Sequence, residues 1–117
     1  MVRVLVIDED RAAIQELGLA CLAEGVAVAM AENVSEGVRV LLSTPVSLIA
    51  VDGALLRLTP REHARLFERV APGVPVVVVV RPDTTLDARA TFELAGFRVL
   101  TRPVDARDLV EKAPSLR

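Results

Sequence analysis

Short runs of β-branched and aliphatic residues alternate along this chain with longer segments whose apolar residues recur every three or four positions. Residues 2–7 read VRVLVI, 46–51 VSLIAV, 75–80 PVVVVV and 97–101 FRVLT, with a weaker run, VAVAMA, at 26–31. VRVLVI and PVVVVV lack in–out alternation, the pattern of parallel strands covered on both faces. Between the runs, Ile14, Leu17 and Cys21 share one helical face, and Gly25 lies just past its end as a stop. Val34, Val38, Leu41 and Leu42 repeat the pattern with Asn33 or Ser35 as cap; Pro60 opens a third helix after Thr59, with Leu66, Phe67 and Val70 as its stripe. Ala88, Thr91, Phe92 and Ala95 mark a fourth, ended by Gly96, and Asp105 caps a fifth that Pro114 stops. Five strand–helix units in alternation predict an α/β fold: a doubly wound five-stranded parallel sheet, order 2-1-3-4-5, flavodoxin-like, with helices on both faces.

Composition narrows this to one domain over 1–117, since 117 residues is near the usual size of a single core. The hydrophobic fraction of 52% argues against disorder, while only 3% aromatic residues means a core of Val, Leu, Ala and Ile. A formal charge of −2, with no stretch that gathers basic and aromatic residues, speaks against nucleic-acid binding by this segment. The single Cys21 excludes an internal disulfide and fits a reducing compartment. Met1 enters the first strand with no signal-like segment, and the apolar runs fall far short of a membrane span, so a cytoplasmic location is expected and no membrane association.

In such a sheet, ligands sit beyond the carboxyl ends of the strands where the order reverses, between strands one and three. The first strand ends in Asp8, Glu9 and Asp10, and the third runs into Asp52. Clustered carboxylates repel unless a cation or hydrogen bonds compensate, and hard oxygen ligands with room for water suit Mg²⁺. Plainer readings stand beside this one: Asp10 as a helix cap, and Asp52 as a strand end before Gly53.

The segment VRVLVIDED resembles the start of a response-regulator receiver domain (CheY-like), where an apolar strand ends in an acidic pair. Asp52 after VSLIAV looks like that family's phosphoacceptor, and FRVLTRPV resembles its fifth strand with the following basic residue and proline. The resemblance implies a two-component phosphoacceptor domain. Glu9, Asp52 and the Ala54 carbonyl would ligate Mg²⁺, with Asp8 acting through water, and Arg102 would contact the phosphoryl group before a cis peptide to Pro103. Its partners would be a sensor histidine kinase or phosphotransfer protein and a downstream output. Self-phosphorylation would occur without turnover of an external substrate, and a homodimer through helix four, strand five and helix five is open to such a chain.

Four departures accompany the likeness. Val80 or Arg81 stands where the family has Ser or Thr, with Thr84 and Thr85 only further on, at the start of helix four. Arg102 replaces Lys, Val99 falls at the aromatic switch position, and GALLRLTPRE follows the phosphoacceptor, leaving Leu55, Leu56 and Leu58 to pack under the loop or face a partner. These departures keep a second reading in view, a phosphorylation-independent pseudo-receiver that acts through protein contact. His63, on the stripe of the third helix, is expected to be a partly buried structural histidine, and Cys21 inert. Asp8 and Asp10 also resemble, weakly, the Asp-x-Asp of haloacid-dehalogenase phosphatases. Arg11 and Ala12 break that pattern, and there is no room for a cap domain.

Overall fold

The computed structural model describes residues 2–113. Its elements, in chain order, are β1 (Arg3–Ile7), α1 (Arg11–Ala23), β2 (Ala27–Ala31), α2 (Val34–Ser43), β3 (Leu48–Asp52), a 3-10 turn (Gly53–Leu55), α3 (Pro60–Val70), β4 (Val76–Val80), α4 (Leu86–Leu94), β5 (Arg98–Thr101) and α5 (Ala106–Glu111). All strand pairs are parallel, in the expected order β2-β1-β3-β4-β5. Met1 and Pro114, assigned to the first strand and to the end of the last helix, lie outside the described residues.

Alternate strand residues feed two apolar layers. Val4, Val6, Leu48, Ala50, Val77 and Val79 pack with Ile14, Cys21 and Leu109 beneath α1 and α5. Leu5, Ile7, Ile49, Val51, Val78 and Val80 pack with Leu41, Phe67 and Phe97 on the face of α2, α3 and α4. All five valines of β4 are buried, and each gives about 1.5–3 kcal/mol of transfer free energy. Local chemistry places the helices: the side chains of Asp10, Asn33, Thr59, Thr85 and Asp105 cap their first turns, with a capping box between Thr59 and Glu62. Gly25 and Gly96 end α1 and α4 at φ 77 and 101, a region that excludes most side chains.

Three expectations shift. Val26 and Phe97 are buried as strand entries rather than strand members. Leu42 is 72% exposed, because Gly37 and Leu41 define the buried arc of α2 and Leu42 lies a further 100° round. And α4 has no fully buried side chain; only Phe92, with Ala95 just past its end, packs on the core.

Candidate phosphoryl-transfer site

The register of β1 on β3 pairs Ile7 with Val51, so the next residue of each strand, Asp8 and Asp52, stands at the same sheet edge. Their parity puts both on the α1/α5 face. Asp8 is buried; its amide continues the ladder to the Ala31 carbonyl at 2.9 Å, and its Oδ1 accepts from the Asp10 amide at 3.0 Å. Asp52 Oδ1 accepts from the Ala54 amide at 3.1 Å and so closes the 3-10 turn. Gly53 lets that turn lie against β4, since a Cβ there would come within 3.1 Å of Val78 and 3.4 Å of the Val79 carbonyl oxygen.

Arg102 joins the two acids. Its backbone N–H donates to the Val80 carbonyl at 2.8 Å, and its guanidinium lies 2.6 Å from Asp8 Oδ2 and 3.4 Å from Asp52 Oδ2. Burial alone would lower its pKa, but hydrogen bonding and charge from Asp8, and then from Asp52, outweigh it and raise the pKa above its ordinary value. The peptide to Pro103 is cis, as the resemblance implied. A cavity of about 220 Å³ opens beside this trio, walled by Ile14, Leu17 and Pro103.

The donors at this edge are all hard oxygens, which fits a magnesium-like cation that keeps much of its water. Glu9 is exposed and makes no ion pair or hydrogen bond among the described residues. Among those residues no three acidic, histidine or cysteine side chains are gathered as a metal cluster, so the two facing carboxylates are what the fold itself assembles. Asp10 is spent on capping α1, through the Ala13 amide at 3.1 Å.

The departures also find their places. Val80 ends β4 buried, while Arg81 is exposed and paired with Asp83 at 3.5 Å. The Thr85 hydroxyl caps α4 at 3.1 Å, and Val99 is a partly buried member of the core. Leu55 and Leu56 pack on the core beneath the loop, whereas Leu58 is 51% exposed. Cys21 is buried, and burial, with Glu24 adding to it, pushes its thiol pKa up.

His63 is fully buried, and its Nε2 accepts from the Leu58 amide at 3.0 Å, tying the loop after Asp52 to α3. Burial pushes its pKa down, with Glu62 opposing. The unfolded chain therefore takes up a proton before the folded one does, and stability falls as pH drops through and below 6.5. Urea unfolding at about pH 7.5 and about pH 5.5 should show this loss in the wild type and a smaller one in His63→Gln. An equal loss in both would assign the pH dependence to other groups.

The description "response regulator receiver domain" matches residues 4–114. The transcriptional regulatory protein GlrR of Escherichia coli (strain K12) is 36% identical over 104 residues, 86% of this chain. The chain spans only 23% of that relative's length. A receiver domain protein (CheY-like) from Methanospirillum hungatei JF-1 superposes with a TM-score of 0.78 at 25% identity, covering 96% of this chain and 90% of that one. A response regulator from Burkholderia pseudomallei, with a phosphorylated aspartic acid, calcium ion and citrate, shares the fold at a TM-score of 0.82 and 17% identity, covering 98% and 68%. With the family's pattern matched almost end to end on a sheet of the expected order, this chain belongs to the response regulator receiver domains of two-component signalling.

Proposed function

We propose that Asp52 accepts a phosphoryl group in a reaction that depends on a divalent cation, Mg²⁺ by preference. The observation that carries this reading is the facing of Asp8 and Asp52 across adjacent strand ends with the Arg102 guanidinium against both. Asp52 Oδ1 is held by the Ala54 amide, which leaves Oδ2 as the nucleophile. Oδ2 attacks phosphorus in line, the bond from phosphorus to the donor's imidazole nitrogen breaks, and that nitrogen keeps the electron pair. Asp8, Glu9, Asp52 and the Ala54 carbonyl would hold the cation. Bound there, it would draw charge off the phosphoryl oxygens as they approach the carboxylates. Arg102 supplies a fixed positive charge for the same oxygens, in a planar fork where a lysine would offer a point charge.

The donor would be a sensor histidine kinase or phosphotransfer protein, and the readout a downstream domain or protein in the cytoplasm. No described helix is long and apolar enough to cross a membrane. Leu86 and Leu94 stand 83% and 89% exposed on α4, consistent with pairing of two copies through α4, β5 and α5. The domain would span 1–117 and turn over no external substrate.

Intact-mass measurement after treatment with acetyl phosphate tests the chemistry. The wild type should gain one phosphoryl group with Mg²⁺ and none with a chelator, and Asp52→Asn should gain none. A wild type that stays unmodified under both conditions would support the contact-only, pseudo-receiver reading instead.

A further inference from the structure

We infer that Arg89 is a positioning residue that ties α4 to the phosphoryl pocket through Thr101, so that events at Asp52 are read out as displacement of α4. The inference rests on Asp52 being the phosphoacceptor.

Successive residues of β5 and its exit point to opposite faces of the sheet. Arg102 points to the α1/α5 face and holds Asp8 and Asp52. Thr101, paired with Val80, points to the opposite face, where Val80 and Val99 lie in the core beneath α4. There the Thr101 hydroxyl accepts a hydrogen bond from Arg89 Nη1 at 2.9 Å, while Arg89 Nε donates to the Thr84 carbonyl at 3.4 Å. One guanidinium on α4 thus bridges the end of β5, next to Arg102, and the loop after β4.

Among the described residues no other side-chain hydrogen bond joins α4 to β5. The remaining contacts are apolar and few, since α4 alone of the five α-helices has no fully buried side chain. An element with so little burial has a low free-energy cost of displacement, so one polar tether weighs heavily on its position. Val80 and Val99 offer neither a hydroxyl nor a rotating aromatic ring to carry a signal across this face. A phosphoryl group on Asp52 would draw the Arg102 guanidinium toward it. Any shift of the backbone at 101–102 then moves the Thr101 hydroxyl and, through Arg89, the first turns of α4.

Arg89→Ala and Thr101→Val each remove one end of the tether at a position that is not fully buried, so the fold should persist in both. The test records ¹H–¹⁵N amide spectra of the full chain with and without Mg²⁺ and beryllofluoride. In the wild type, amides at Ala54 and along residues 86–94 should both shift. In either variant the Ala54 shift should remain and the α4 shifts should be lost, while Arg89→Lys, which keeps one donor, restores part of them. Unchanged α4 shifts in both variants, or none in a wild type whose Ala54 amide does shift, would overturn the coupling. A wild type with no shift at Ala54 would instead overturn the Asp52 reading, and the coupling with it.

Discussion

Replacing Phe67 by Ala should destabilise the domain by about 3–5 kcal/mol, a large share of the stability expected of a single domain. Phe67 is 2% exposed at the centre of the layer beneath α2, α3 and α4, with its ring edge-on to Phe97 at 6.5 Å. The chain has only three Phe and no Trp or Tyr, so beyond Phe97 and the stacked His63 the layer around that ring is built largely of short Val and Ala side chains. They are stiff or small and cannot swing in to fill the space, so most of the cavity stays open. Urea unfolding should show a midpoint much reduced at similar slope, and a melting temperature lower by roughly 10–20 °C. Phe67→Leu, closer in volume, should cost about half as much or less. A Phe67→Ala loss under about 1 kcal/mol would mean that this layer is not packed as described.

Arg102→Met should cost about 1–3 kcal/mol without added cation, because it leaves the buried Asp8 carboxylate facing Asp52 with its charge-assisted partner gone. Arg102 is only partly buried, which keeps the expectation below that for a deeply buried pair. The sign of the pH dependence follows from the raised pKa. The contribution is fully present below the ordinary guanidinium value and is lost only as pH rises through the still higher folded value, so deprotonation of Arg102 takes nothing away near neutrality. Millimolar Mg²⁺ should restore part of the lost stability in Arg102→Met and have a smaller effect on the wild type, since either cation can neutralise the same two carboxylates. Arg102→Lys should fall between the two, as an ammonium reaches Asp8 but loses the planar fork. Thermal unfolding of the three proteins with and without Mg²⁺ measures this; equal stability in all of them would remove Arg102 from the electrostatics of the site.

Most of the fold is legible in the sequence because the signals are local and agree. The VRVLVI and PVVVVV runs carry the unalternating apolar pattern of two-sided strands, and Asp10, Thr59, Thr85 and Asp105 stand at helix starts where their oxygens meet free amides. Asp8 and Asp52 follow from topology alone, since any residue just after β1 or at the end of β3 reaches the same edge. What depends on side-chain rotation was not legible. Leu42 fits the helical period of α2 but misses its narrow buried arc. The Arg89–Thr101 bond, which spans 12 residues, is set by how α4 sits over β5, and the periodicity of neither segment specifies that. The link from His63 to Leu58 is likewise tertiary; a histidine on an apolar stripe announced burial but not the amide it would accept from.

The central claim is that the pocket phosphorylates at Asp52 and nowhere else. Borohydride reduction of the protein after treatment with acetyl phosphate and Mg²⁺, followed by peptide mapping, tests this directly, because an aspartyl phosphate is reduced to homoserine while a free carboxylate is not. Homoserine at position 52 in the wild type, absent when Mg²⁺ is withheld, is the predicted result. Homoserine at Asp8, Asp10 or any other acid, or none at all, would contradict it.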